Sequence, residues 1–293
     1  MSREGIVLLG AWGQGNLGDE AILEGMLWAL RDYPVTVLSR GPVGPRAVLW
    51  KHPAQMLWAL GKSRVLLLGG GTLLQDQTSR RSLWFYVGVS ALAKLLGSRV
   101  MVFAGGIGPL RHRTSRRLTR WFLERVTDEI ALRTHADGRA LEELGVKKAF
   151  TVTSDAAFLA PFWSLQTPQT ESLDARKQVF CPRFGEPVPP EVLQDPSLWT
   201  VLPLGKNDAK TRLKGASYAS VTTPLEAWNT LQQAQKVVSQ RLHGLILSFG
   251  KNEKATTSDP KIQGFLPEME YSLNNHIERA KKNTEIAINL YKK

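Results

Sequence analysis

The sequence predicts an α/β protein of two domains, a full parallel-sheet domain followed by a shorter one. Three observations carry this reading. The chain has 293 residues, enough for two cores at roughly 150 residues per domain. Over the first 160 residues, short aliphatic or β-branched runs alternate with amphipathic helical stretches, as in consecutive βαβ units. Three of the runs lead directly into glycine clusters, at 10–18, 69–71 and 105–108. In an open α/β sheet the carboxyl ends of the strands line the ligand crevice, so these loops outline a binding edge.

Taken in order, the aliphatic run 5–9 is the first strand and 20–31 the first helix. Strands follow at 35–38, 65–68, 100–103 and 129–132, with helices near 83–96 and 115–125. From 161 to 196 the chain is rich in Pro, Gln and Glu, so a linker is expected between Ala160 and Lys177. The expected domains are therefore 1–160 and 177–272. A terminal helix is expected over 273–293, on the loose helical spacing of Ile277, Ala280, Ile286, Ile288 and Leu290. The second domain offers strands at 178–181, 199–202 and 236–239, a helix at 224–235 and an apolar stretch at 245–249. Its next segment, 250–259, is polar where a buried strand is expected, so something is missing or frayed there.

Composition narrows the partners. Lys and Arg number 38 against 26 Asp and Glu, a net +12, which favours anionic partners: phosphorylated small molecules, acidic lipid or nucleic acid. Cys181 is the only cysteine, so neither an intramolecular disulfide nor a cysteine zinc cluster can form, as in a reducing compartment. Neither a signal peptide nor a location outside the cytoplasm is expected from the N-terminal residues. The apolar stretch 83–93 is about half the ~20 residues of a spanning helix. Arg111, Arg113, Arg116, Arg117, Arg120 and Arg125 with His112 form the densest basic run. It is read first as a solvated helix face. Attraction to anionic headgroups at the inner face of the membrane is the competing reading, and nucleic acid is set aside for want of a recognised motif.

The segment Gly10-Ala-Trp-Gly-Gln-Gly15-Asn16-Leu-Gly-Asp19-Glu20 reads as strand end, glycine loop and helix start. Glycines admit a ligand close to the backbone, and free N–H groups at a helix start suit an anion or a sugar. Asp19 and Glu20 would satisfy those groups themselves, and Asn16 and Asp19 together point instead to hydroxyl recognition or a general base. A plain capped turn is the alternative. Gly13, Gly15 and Gly18 match GxGxxG, but the next strand leads into Ser39-Arg40 with no acid for a ribose, so this is not the dinucleotide fingerprint. Gly69-Gly70-Gly71-Thr-Leu-Leu-Gln75-Asp76 repeats the design, with two polar groups beyond an apolar turn.

In the second domain Ser239-Gln-Arg241-Leu242-His243 is the sharpest constellation. Read as a strand end, it aims Arg241 and His243 to one side. A guanidinium suits phosphate or carboxylate, and a histidine exchanges a proton near neutral pH. Asp259-Pro260-Lys261 adds a cation, and Arg183, after the strand 178–181, could complete an anion pocket. Surface salt bridging is the competing explanation.

With these residues in view, the chain resembles the polysaccharide pyruvyl transferase family of the CsaB type. The motifs are GQGNLGDEAIL (13–23), GGGTLLQDQTSRRSLWFYVG (69–88), GGIGPL (105–110), SDAAF (154–158), SQRLHGLI (239–246) and DPKIQGF (259–265), in family order. The resemblance implies two Rossmann-like domains facing a cleft, GT-B-like, and transfer of the pyruvyl group of phosphoenolpyruvate to a sugar of a cell-wall or exopolysaccharide precursor as a ketal. It implies donor contacts from the motif Arg241-Leu242-His243 and an acceptor facing the N-terminal glycine loop; the chemistry of the transfer adds Arg183 and Lys261 at the departing phosphate, with His243 as acid and Asp19 as base. Gly15, Asn16, Gly70, Gly71, Gln75 and Asp76 would then face a lipid-linked or polymeric glycan acceptor. No metal or cofactor is called for. The family pattern after Ile130 reads Arg-Asp with a nearby Ser, whereas Arg133 is followed here by Thr134-His135-Ala136-Asp137. Two other functions compete: a nucleotide-sugar glycosyltransferase on the same architecture, and a non-catalytic glycan-binding relic with a decayed second domain.

Overall fold

A computed structural model describes residues 3–44, 47–165, 178–251, 253–255 and 259–293. By contacts the chain divides into two compact units, one of Met1–Gln14, Ile22–Ala160 and Asn274–Lys293, the other of Gly15–Ala21 and Pro161–Leu273.

The first unit runs β1 (Ile6–Leu9), α1 (Leu17–Ala29, its first turn grouped with the second unit), β2 (Val35–Ser39), β3 (Ala47–Leu49), α2 (Pro53–Lys62), β4 (Val65–Gly69), α3 (Arg80–Leu95), β5 (Arg99–Gly105), α4 (Arg113–Trp121, continued by a π-helical turn Phe122–Val126), β6 (Glu129–Leu132), α5 (His135–Glu143) and β7 (Thr151–Val152). Its seven strands form one parallel sheet in the order β3-β2-β1-β4-β5-β6-β7. Ile6 pairs with Val35 on one side and Val65 on the other. Strands covered on both faces read as unbroken aliphatic runs, which is why β1 and β4 were plain in the sequence. Four elements were not anticipated. β3 and β7 have three and two residues. Helix α2 leaves Leu57 and Trp58 exposed, which blurs its apolar periodicity, and α5 announces itself only through its cap, Thr134 Oγ accepting the Asp137 N–H.

The terminal helix, α10 (Leu273–Lys292), belongs from Asn274 to the first unit. Its buried stripe is His276, Ala280, Asn283, Ala287 and Leu290, so two of five inward positions are polar. His276 stacks on Phe158 with ring centroids 4.5 Å apart and shares a 2.6 Å hydrogen bond with Ser154 Oγ. Asn283 Oδ1 accepts from the Ala104 N–H (3.2 Å) and the Thr153 hydroxyl (2.8 Å). Ala104 has φ of 48°, beside a register shift in β5. Asn283 therefore braces a strained strand end.

The second unit contains β8 (Gln178–Cys181), α6 (Pro190–Gln194), β9 (Trp199–Val201), β10 (Ser217–Tyr218), α7 (Pro224–Gln232), β11 (Lys236–Ser239), α8 (Leu242–Leu247), β12 (Glu253–Ala255) and α9 (Pro260–Phe265). Its parallel sheet has the order β10-β9-β8-β11-β12, the arrangement of the first five strands of the other sheet around its own first strand. Phe180, Val192, Trp199, Val201, Leu213 and Val238 form its core.

Two expectations are corrected. The apolar stretch 245–249 begins as the last turn of α8. The strand expected after it is present: β12 pairs with β11 from Val237 opposite Glu253 to Ser239 opposite Ala255. As an edge strand it need not be apolar, which is why the polar sequence concealed it. Residues 252 and 256–258 of that segment, and 166–177 of the expected linker, lie outside the described residues.

Candidate active site

The carboxyl edge of the second sheet carries Arg183, Arg241 and Asp259. Arg183 follows β8 closely, and its backbone N–H donates to Gln240 Oε1 at 3.0 Å, joining the ends of β8 and β11. Its guanidinium pairs with Asp259 and lies 3.6 Å from Glu186. Asp259 caps α9 by accepting the Lys261 N–H at 2.9 Å. Burial works to raise the Asp259 carboxyl, but the Lys261 N–H and the Arg183 guanidinium outweigh it and hold the group below the usual carboxylate range.

Arg241 and His243 do not sit on a strand. β11 ends at Ser239, Arg241 is the extended N-cap of α8, and His243 lies in the helix's first turn with Leu242 buried beside it. The chain turns because Ser239 Oγ accepts the Arg241 N–H (3.0 Å) and donates to the Arg241 carbonyl (2.7 Å). Side-chain alternation therefore no longer applies. Arg241 is aimed instead by Asp208: Nε donates to Oδ2 at 2.9 Å, and a terminal nitrogen donates to Oδ1. Asp208 Oδ1 also accepts the Phe184 N–H at 3.1 Å.

Residues 15–21 belong to this unit as well. Asn16 bridges to Gly205, and the Leu17 N–H donates to the Leu204 carbonyl at 2.7 Å. The Asn16 carbonyl accepts the Glu20 N–H (3.0 Å), and Oδ1 accepts the Gly18 N–H (3.2 Å). Helix α1 therefore starts at Leu17, earlier than the expected residue 20, because Asn16 opens it. Asn16 Nδ2 also donates to Asp19 Oδ2 at 2.7 Å, fixing that carboxylate. Gly18 lies against the His243 ring so closely that a β-carbon would overlap it, and Gly15 packs on the Lys206 stem.

Gly70, Gly71, Gln75 and Asp76 lie in the first unit, at the carboxyl end of β4. Gly70 and Gly71 have φ of 68° and 70°, a conformation that favours glycine. Gln75 closes onto Thr78, its Oε1 accepting the Thr78 N–H at 3.0 Å. Asp76 accepts the N–H groups of Arg111 (2.7 Å) and His112 (2.9 Å). Burial opposes ionisation of Asp76, yet those two donors, Ser115 and the neighbouring His112 pull its pKa below the usual value. Both polar side chains thus make bonds internal to the loops.

The profile of the family described as polysaccharide pyruvyl transferase matches residues 16–252. The chain belongs to the polysaccharide pyruvyl transferase family. No curated protein matches it significantly. Solved structures similar in fold include the UDP-GlcNAc 2-epimerase of Methanocaldococcus jannaschii (11% identity, 99% of each chain covered, TM-score 0.57). S. aureus MnaA with UDP is 12% identical over 98% of this chain and 90% of that one, with a TM-score of 0.59. Anabaena HepE with UDP-glucose is 10% identical over 99% and 97%, with a TM-score of 0.55. At these identities the likeness shows the fold alone: this family member is α/β and GT-B-like, with two parallel sheets.

In this family member the second unit offers fixed, partly exposed guanidinium groups beside a histidine and an oriented carboxylate, a set able to hold an anion and move protons. Among the described residues no group of three or more His, Cys, Asp or Glu is placed to hold a metal ion. Sequence reasoning missed Asp208, which stands in the polar stretch Lys206-Asn-Asp-Ala-Lys210 and looks there like a surface loop. It also missed the partners of Arg133. That buried side chain donates to Thr72 Oγ1 (2.8 Å) and Asp155 Oδ2 (3.4 Å) and lies 3.6 Å from Asp137. Asp137 in turn accepts the Ile107 N–H at 2.8 Å. A signal existed: an arginine directly after the aliphatic strand 129–132 has to be paired where it is buried.

Proposed function

We propose that this protein transfers the pyruvyl group of phosphoenolpyruvate to two hydroxyls of a sugar in a polysaccharide precursor, forming a ketal and releasing phosphate. The observation that carries the reading is the Arg241 guanidinium, held on one edge by the buried Asp208 and next but one to His243. A fixed guanidinium recognises phosphate or carboxylate, and the donor carries both. Arg183 and Lys261 add positive charge for the departing phosphate.

His243, protonated, delivers its proton to the methylene carbon of the donor, and positive charge develops at the adjacent carbon. A sugar hydroxyl attacks that carbon, giving up its proton to Asp19. A second hydroxyl attacks the same carbon as the C–O bond to phosphate breaks, its proton passes to the departing phosphate, and the proton taken up by Asp19 is returned through solvent to the emptied histidine. One proton thus ends on the new methyl group and one on phosphate, so the steps draw on no cofactor.

The test is phosphate release from phosphoenolpyruvate with model glycosides and lipid-linked sugars as acceptors. His243→Ala should retain donor binding and lose about a hundred- to ten-thousand-fold in turnover, as for a general acid. Arg241→Lys, which keeps the charge and loses the bidentate geometry, should chiefly weaken the donor. Unchanged turnover in the histidine variant would remove it as the acid. Tighter binding of UDP than of phosphoenolpyruvate would favour a nucleotide-sugar transferase, and acceptor binding without donor binding a non-catalytic relic.

A further inference from the structure

The whole positive balance of the chain sits in one stretch. Residues 33–123 contain fourteen Lys and Arg and a single acid, Asp76, whereas the full chain has 38 and 26, leaving 24 cations and 25 acids elsewhere. Asp76 is itself buried in backbone hydrogen bonds. Among the described residues only Lys94 of these cations forms an ion pair, with Asp128, so the surface of this stretch is strongly cationic, and it lies within the first unit.

Helices α2, α3 and α4 carry most of that surface. Each crosses between strands in the same direction along the sheet, and right-handed crossovers then place all three on one face. Arg80, at the start of α3, donates to Thr114 Oγ1 of α4 at 3.2 Å. On α4, Ser115 and Thr119 face the core, whereas Arg113, Arg116, Arg117 and Arg120 are exposed by their i, i+3 and i+4 spacing. None of these arginines is in an ion pair with a described residue. The same three helices expose large apolar groups: Trp58 on α2, Trp84 and Leu95 on α3, and Trp121 on α4. Lys62 Nζ lies 4.3 Å over the Trp58 ring. Indoles prefer the headgroup region of a bilayer, and clustered cations are attracted to anionic lipid. A solvated helix face would explain the arginines but not the tryptophans among them.

We propose that the outer face of α2, α3 and α4 is a docking surface for a bilayer rich in anionic phospholipid. It stands apart from the transfer reaction, since it uses none of the residues assigned to it. The experiment is co-sedimentation of the full chain with phosphatidylcholine vesicles, with and without phosphatidylglycerol. Binding should require the anionic lipid and weaken as added salt shortens the Debye length. Arg116→Gln with Arg120→Gln should lower the partition coefficient about five-fold per arginine, or about twenty-five-fold together. Trp84→Ser with Trp121→Ser should remove the binding that survives high salt. Both pairs are surface changes, and unaltered thermal unfolding will show that the fold is kept. Equal binding to uncharged vesicles, undiminished binding of the arginine pair, or preference for duplex DNA over anionic vesicles would overturn the proposal.

Discussion

At the carboxyl edge of the first sheet both members of the central ion pair are dry, with Arg133 3% exposed and Asp155 0%. At the matching edge of the second sheet only the carboxylates are dry: Asp208 is 0% exposed beneath Arg241 at 31%, and Asp259 8% beneath Arg183 at 26%. The two sheets share a strand order, so the difference lies in the loops. In the first unit Arg133 draws together Thr72 after β4 and Asp155 after β7, while Asp137 at the start of α5 holds the Ile107 N–H after β5. That cluster is a scaffold. In the second unit a buried acid grips one edge of a guanidinium whose remaining N–H groups stay wet, and of the five donors of Arg241 two are given to Asp208. A dry pair fixes loops, whereas a half-wet one leaves donors for a ligand.

The sharpest way to break this contrast is to remove the arginines in turn. Arg133→Met leaves two buried carboxylates uncompensated and should cost about 3–5 kcal/mol. Arg183→Met, with solvent at hand to rehydrate Asp259, should cost roughly 1–2 kcal/mol. Urea unfolding followed by circular dichroism would give the totals. The second unit can be read separately through Cys181, the single thiol, which burial pushes up to about 12: alkylation by iodoacetamide then requires that unit to open. Equal costs for the two substitutions would mean that the edges do not differ as described.

The glycine loops permit a finer comparison. Gly70→Ala, at φ of 68° and against Ile22, puts a β-carbon into a left-handed conformation, costing about 1–2 kcal/mol, so it should lower stability. Gly18→Ala would instead push His243 aside. A displacement near 1 Å at a reacting group can cost about a hundred-fold in rate, so its signature should be lost phosphate release with the donor still bound. A Gly18→Ala enzyme of full activity would separate that loop from the histidine.

Much of this was legible in advance for one physical reason: strands buried on both faces must be apolar throughout. β1, β4, β5, β6, β8 and β11 announce themselves, and the glycine clusters after β1, β4 and β5 mark the edge of the first sheet. What stayed hidden is what tertiary contacts decide. The strand β12 is polar because it is an edge. The inward stripe of α10 was blurred because His276 and Asn283, polar residues, occupy core positions and are satisfied only by Ser154, Thr153 and Ala104. Arg241 stands out in the sequence, but its orientation follows from Asp208, 33 residues away in the chain, which no local pattern could supply.

The smallest expected effect separates the two edges by acid and salt. Asp76 in the first unit and Asp259 in the second both have pKa values below the usual carboxylate range. A depressed folded-state pKa means that each contributes stability above the unfolded value near 3.9 and loses that contribution as pH falls through the folded one. Asp76→Asn should therefore cost roughly 1 kcal/mol at neutral pH, and the gap to the unsubstituted protein should close in acid. The donors to Asp76 are chiefly backbone N–H groups, whereas Asp259 relies also on the charge of the partly exposed Arg183. Salt screens charges but not neutral donors, so added salt should shrink the neutral-pH cost of Asp259→Asn and leave that of Asp76→Asn in place. An equal salt response in unfolding midpoints would show that both edges are held by charge, and the distinction between scaffold and ligand-ready arginine would lose its electrostatic basis.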